Sequence, residues 1–197
     1  MLLIRSLPVA LLLSLLLVTT GAQAAGSAES LLKREQAQLT ALVRKAPSET
    51  RDEALVAVFE RLLDYETLAR QSLGRHWEGL SPEQRIEFTE VLKGLVQRAY
   101  ERNVKKTIDY SVSYTGQSAA DSAVLVRTVA TSKKNARKQP VSIDYLMHQV
   151  DGRWRVRDIV TEGSSMVRSY RSQFSRIIAK KGFSELLTRM KRKLRKG

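Results

Sequence analysis

Two alternating runs meet at Asp151-Gly152, and no other feature of the chain restricts its architecture as tightly. Val141 to Val150 and Arg153 to Val160 both carry the period-two pattern of a strand with one buried face. An Asp-Gly pair between such runs favours a two-residue type I′ turn, whose twist matches that of the strands it joins. With Val150 placed opposite Arg153, Met147 faces Val156, Tyr145 faces Asp158 and Ile143 faces Val160. Gln149 and Trp154 fall on this same, largely apolar face. The other face carries Asp144, His148, Arg155 and Arg157, with Leu146 and Ile159 among them. Such a division is expected of an antiparallel sheet covered on one side only.

Two further strands precede the hairpin. Ile108, Tyr110, Val112 and Tyr114 alternate with polar residues, and a second run covers Ser122 to Thr131. A polar loop from Ser132 to Gln139 leads on to the hairpin. Helices flank this stranded middle. Residues 27–45 read as a helix ending before Pro47, and Ser48 caps a second with Leu55, Val58, Phe59 and Leu62 as its apolar stripe. Asp64 caps a short third helix that Gly74 stops. Ser81-Pro82-Glu83-Gln84 combines an N-cap serine, proline at the first helical position and a capping-box glutamine. The helix that follows runs to about Lys105 on a stripe of Ile86, Val91, Leu92, Leu95, Val96, Ala99 and Tyr100. After Glu162-Gly163-Ser164-Ser165 a serine caps a further helix through Met166, Val167, Tyr170, Phe174, Ile177 and Ile178. Gly182 interrupts it, and Ser184-Glu185 restarts a last helix. The expected fold is α+β: a curved four-stranded antiparallel sheet with helices packed on one face.

The first 24 residues form an export signal: Arg5, an apolar run from Leu7 to Val18, and the small-x-small site Ala22-Gln23-Ala24. The run falls short of the roughly 20 apolar residues needed to span a bilayer. Cleavage near Ala24 would leave residues 25–197 as one domain, with no membrane-spanning segment. The chain has no cysteine, which excludes disulfides, thiol catalysis, zinc-thiolate sites and a lipid-modified N-terminal cysteine.

Lys and Arg number 34 against 20 Asp and Glu, a formal charge of +14. Arg5 is the only charged residue of the signal, so the mature chain keeps +13. That balance favours acidic partners. Export argues against nucleic acid, and the basic residues lack the interleaved aromatics of single-strand binders. Much of the excess lies in Arg189-Met190-Lys191-Arg192-Lys193-Leu194-Arg195-Lys196, which reads either as a solvated helix face and tail or as attraction to anionic head groups or an acidic partner.

Several segments resemble the MlaC-like family, the toluene-tolerance group of periplasmic phospholipid-binding proteins. They are Asp151-Gly152-Arg153-Trp154-Arg155-Val156-Arg157-Asp158-Ile159, Glu162-Gly163-Ser164-Ser165-Met166-Val167 and Tyr170-Arg171-Ser172-Gln173-Phe174. Gly74-Arg75-His76-Trp77 and Leu80-Ser81-Pro82-Glu83-Gln84-Arg85 with Phe88 are similar to it as well. The resemblance spans nearly the whole mature chain. It implies a soluble periplasmic carrier of phospholipid, without catalytic residues, metal or cofactor. Its partners would be an inner-membrane transporter complex bearing an MCE-domain protein and an outer-membrane lipoprotein complex, and its role the upkeep of outer-membrane lipid asymmetry. The basic C-terminal run has no counterpart in the family pattern.

The resemblance also implies a cavity between sheet and helices for the lipid tails. The expected sheet walls are Val112, Val126, Ile143, Tyr145, Met147, Trp154, Val156 and Val160, and the expected helical walls are Tyr100, Val104, Met166, Tyr170 and Phe174. Ordinary core packing is the alternative for each. Arg168 and Arg171 are candidates to meet the head-group phosphate, or simply belong to a solvated helix face. Two other functions compete. An enzyme on a cone-shaped α+β fold could use Asp158 beside Tyr145 as a base, unless Asp158 only accepts a hydrogen bond. A cell-envelope interaction module would use the basic surface and need no cavity. His76 and His148 stand in different elements without zinc-ligand spacing, and no serine occupies a nucleophile elbow.

Overall fold

The computed structural model describes residues 20–196, with side-chain surroundings for residues 28–99 and 108–196. The expected signal up to residue 19, and the side chains of Tyr100 and Val104, lie outside the described residues. Four helices come first: α1 (Thr20–Val43), α2 (Glu49–Leu62), α3 (Tyr65–Leu73) and α4 (Pro82–Thr107). Strands β1 (Tyr110–Ala120), β2 (Ala123–Ser132), β3 (Val141–Val150), β4 (Arg153–Thr161) and β5 (Ser164–Ser165) follow, and α5 (Met166–Lys196) closes the chain.

Local chemistry sets the helix boundaries. The Ser48 side chain accepts the Arg51 amide at 3.2 Å, and the Asp64 carboxylate accepts the Thr67 amide at 2.9 Å. At α4 the capping box closes both ways: Ser81 Oγ accepts the Gln84 amide (3.3 Å) and Gln84 Oε1 accepts the Ser81 amide (3.0 Å). Gly74 ends α3 at φ 55°, a conformation that favours glycine. Ile86, expected on the buried stripe of α4, is 66 % exposed, and Phe88 is fully buried instead. Ile86 stands six positions before Leu92, which turns it off the face that Phe88, Leu92 and Leu95 share.

The sheet is antiparallel throughout, in the order β1-β2-β3-β4-β5. Its fifth strand is the two-residue addition Ser164–Ser165, reached through a tight turn at Glu162 (φ 49°) and Gly163 (φ 72°). The hairpin turn at Asp151 (φ 49°) and Gly152 (φ 72°) has the positive φ at both positions that a type I′ turn needs. From it the register runs as expected through Val150↔Arg153, Gln149↔Trp154, His148↔Arg155 and Met147↔Val156. A bulge then inserts one residue into β4. Leu146 therefore pairs with Asp158, Tyr145 with Ile159, Asp144 with Val160 and Ile143 with Thr161. The expected pairings Tyr145–Asp158 and Ile143–Val160 are thus corrected by one residue, and Ile159 packs against the core while Val160 is in register with Asp144.

One core joins the sheet face to all five helices. Val124, Val126, Met147 and Val156 meet Leu32, Phe59, Leu68, Leu73, Phe88, Leu92, Phe174 and Leu186. Burial of each such side chain contributes about 1.5–3 kcal/mol. The outer edge of β4 is covered at its middle and at its end. Leu63 bridges to Val156 and the Asp64 amide bonds Val156 O at 3.0 Å, while β5 pairs with Val160 and Thr161.

Candidate functional site

The apolar stripe of α1 carries Ala28, Leu32, Leu39 and Leu42 at helical spacing, and Glu35 stands among them. Glu35 is only 3 % exposed. A carboxylate in that position requires a partner. Arg61 of α2 supplies one at 3.1 Å, also reaching Gln38 Oε1 at 3.0 Å, and Arg34 adds a contact at 3.2 Å. These groups form one wall of an open cleft of about 520 Å³. Its other wall is the turn end of the β3–β4 hairpin: Gly152, Arg153, Trp154 and Arg155.

Four arginines and one carboxylate face this cleft, so its potential is positive. The guanidinium groups differ in what they already hold. Arg155 donates to Glu60 O (2.8 Å) and Leu63 O (3.2 Å) at the end of α2, and Arg61 is tied to Glu35. Arg153 is exposed, and Arg34 points mostly into solvent. Leu31 and Trp154 give the cleft an apolar flank. Trp154 also packs against the core, and its indole N–H is buried without a hydrogen-bond partner. A cationic rim over an apolar flank can accept an anionic amphiphile.

A second, smaller groove of about 170 Å³ lies between α4 and α5. Leu92, Leu95, Ile177 and Met190 are among its lining residues, with Arg189 and Lys193 at its edge.

The residues expected to wall a cavity are distributed as follows. Val126, Met147 and Val156 are fully buried and Phe174 nearly so, all within the core. Tyr145, Trp154, Met166 and Tyr170 are partly buried against it. Burial pushes the Tyr145 hydroxyl up to about 12, and that of Tyr170 up as well. Val112 and Ile143 are half-buried at the far end of the sheet, and Val160 stands opposite Asp144 as described. The described wall residues other than Val112, Ile143 and Val160 are thus core side chains or packed against the core; the cleft takes in Trp154, and the smaller groove takes in Tyr170 and Phe174.

Arg168 and Arg171 are exposed and hold main-chain carbonyls: Arg168 that of Gly163 (3.5 Å) and Arg171 that of Gln71 (2.7 Å). Asp158 does not stand beside Tyr145. Its Oδ1 accepts the amides of Val167 (3.0 Å) and Ile159 (2.8 Å), and its Oδ2 accepts the Ser165 hydroxyl (2.5 Å). Its carboxylate therefore anchors the first turn of α5. His148 pairs with Asp64, while His76 lies in the 3₁₀ turn after α3. Sequence reading missed the cleft residues Leu31, Arg34, Glu35 and Arg61. The available signal was Glu35, a charged residue set in an apolar stripe.

An open antiparallel sheet with helices on one face and no closed barrel makes this an α+β protein of the open-sheet kind. Its backbone is similar to a solved phospholipid-binding protein from Ralstonia solanacearum, determined in complex with a phospholipid. The likeness has a TM-score of 0.75 and 23 % sequence identity, covering 86 % of this chain and 98 % of that one. At that identity it is a likeness of fold. The family model described as MlaC protein matches residues 30–192, and the chain belongs to the MlaC family. Comparison with curated proteins gives no match. No helix among the described residues is long and apolar enough to cross a membrane.

Proposed function

We propose that this protein is a periplasmic phospholipid carrier, exported through the signal at residues 1–24. It shuttles lipid between an inner-membrane transporter complex bearing an MCE-domain protein and an outer-membrane lipoprotein complex, and so helps to maintain outer-membrane lipid asymmetry. Membership of the MlaC family supports the reading, as does the phospholipid complex of the similar Ralstonia protein. The observation that carries it at residue level is Trp154, which joins the cationic cleft to the apolar core.

In this reading the cleft is the mouth. The acyl chains pass Trp154 and part the helices from the sheet, reaching Tyr145, Met147, Val156 and the other walls expected from sequence. Arg34 and Arg153 meet the head-group phosphate, because Arg168 and Arg171 already hold carbonyls. The energetics suit exchange. Each buried methylene is worth about 0.8 kcal/mol against water, but a bilayer offers the tails the same gain. A carrier that matched the bilayer closely would load and unload; one that exceeded it by much would never unload.

Mass spectrometry of protein purified from a diderm host, native and then solvent-extracted, tests the proposal. A stoichiometric phospholipid is expected. Protein that remains empty after incubation with phospholipid vesicles would rule out the carrier.

A further inference from the structure

The basic C-terminal run is not a loose tail. It completes α5, which continues to Lys196 and packs along α4. Leu186, Leu187 and Met190 are buried in the core and Leu194 packs against it at Gly94. Lys191 pairs with Glu87 of α4, and Arg98 of α4 donates to the Leu194 carbonyl. The apolar side of the helix is thereby fixed, and so is the direction in which its cations point.

From Lys180 to Lys196 the sequence holds eight Lys and Arg against the single carboxylate of Glu185. Arg189 pairs with Glu185 at 2.7 Å and Lys191 with Glu87. Lys180, Lys181, Arg192, Lys193, Arg195 and Lys196 are exposed, and none forms an ion pair among the described residues. The field they create is felt locally. Glu185 is held below its usual carboxylate range by the hydrogen bond from Arg189, with Lys181 and Arg192 adding to the effect. The helix macrodipole accounts for cations in the last turn, where Lys193, Arg195 and Lys196 sit. Lys180 and Lys181 likewise end the segment of α5 that stops at Gly182, so the dipole explains where these cations sit but not why six of them lack a carboxylate partner among the described residues. Like charges gathered on one face repel one another, and a complementary surface relieves that repulsion.

The apolar groove between α4 and α5 opens beside these cations, with Arg189 and Lys193 on its border. Cations next to an apolar recess match the chemistry of an anionic bilayer surface, where phosphates lie directly above hydrocarbon. An acidic protein would satisfy the charges but would need an apolar side chain placed to match the recess, whereas an anionic bilayer offers hydrocarbon beneath its phosphates everywhere. We infer that the outward face of the C-terminal half of α5 docks the protein on an anionic phospholipid membrane. The groove receives apolar groups at the interface while Arg192, Lys193, Arg195 and Lys196 meet the phosphates. This surface is distinct from the cleft at Trp154, and the inference stands whether or not that cleft carries lipid.

The test is co-sedimentation of the chain 25–197 with vesicles of phosphatidylcholine alone or mixed with phosphatidylglycerol. Binding to the mixed vesicles only is expected, weakening as salt is raised from about 0.05 M to about 0.3 M. A triple reversal, Arg192→Glu, Lys193→Glu and Lys196→Glu, changes exposed positions only and should lower that binding by about tenfold or more. Arg44→Glu, Lys45→Glu and Arg137→Glu together change net charge equally at exposed sites elsewhere, and should lower it far less. Circular dichroism confirms that both variants are folded. Absent binding to the mixed vesicles, or equal losses in the two triple variants, would overturn the inference. Retention on polyglutamate without vesicle binding would also overturn it, in favour of an acidic protein partner.

Discussion

His148 Nε2 lies 2.8 Å from Asp64 Oδ2, joining the polar face of β3 to the turn between α2 and α3. The same carboxylate caps α3 through Thr67, and the Asp64 amide bonds Val156 O across the edge of β4. Three elements therefore meet at one residue, two through its carboxylate and one through its main-chain amide. Burial alone would raise the Asp64 pKa, but the hydrogen bonds from Thr67 and the His148 contact outweigh it and leave it below its ordinary value of 3.8. A carboxyl with a lowered folded pKa stabilises the fold above its unfolded pKa, and that contribution is lost as pH falls through the folded value. Urea unfolding between pH 7 and about pH 3 should show a steep loss below about pH 4 that is shallower in Asp64→Asn. Equal slopes in the two proteins would remove Asp64 from the account of acid stability.

Asp158 is the second carboxylate with several duties, and they decide between two readings of it. It is 7 % exposed and accepts hydrogen bonds from Val167, Ile159 and Ser165. Asp158→Ala would leave buried donors unpaired, at a cost of about 1–3 kcal/mol each. The expected result is a lower denaturation midpoint together with looser docking of α5, detected as faster amide exchange at Val167. A variant as stable as the parent would show that the carboxylate serves something other than the helix start.

The caps at Ser48, Asp64 and Ser81, the stop at Gly74 and the turn at Asp151-Gly152 were legible because each depends on residues within a few positions. The β3–β4 register was legible for its first four pairs for the same reason. It failed after Met147 and Val156, since the inserted residue Arg157 has nothing in its neighbourhood to mark a bulge. That single insertion moved Asp158 away from Tyr145 and set Val160 opposite Asp144. The cleft was largely illegible, because Glu35, Arg61 and Trp154 meet only when α1 and α2 are laid across the hairpin. Periodicity locates a buried face but does not say which distant side chains will share it.

Met147 and Val156 form a cross-strand pair, both without solvent exposure, at the centre of the sheet–helix interface. If acyl chains are housed there, a larger side chain competes with them for room. Met147→Trp or Val156→Trp should lower stability by about 1–3 kcal/mol through overpacking. In protein that still folds, the amount of phospholipid extracted should fall well below the parental level. Unchanged loading would place the tails elsewhere, the α4–α5 groove being the next place to look.

The bend in α5 gives a last prediction. Phe88 of α4 makes an edge-on contact with Phe174 (5.6 Å between ring centres) and a tilted one with Phe183 (6.1 Å), so residues on either side of Gly182 pack on the same ring. An unbroken helix would carry the two along a single axis; the break at Gly182 redirects the second half. Gly182 has φ 80° and ψ 169°, a conformation that side chains with a Cβ rarely adopt. Nothing lies within 4 Å of where a Cβ would sit, so any penalty comes from the backbone and not from a clash. Gly182→Ala should therefore cost about 1–3 kcal/mol, read as a lower thermal midpoint. Alanine at an unstrained helical site would instead stabilise the helix by about 1 kcal/mol relative to glycine, so the sign of the shift alone decides. A rise in the midpoint would mean that α5 straightens through residue 182, and with it would go the fixed orientation of the basic C-terminal face.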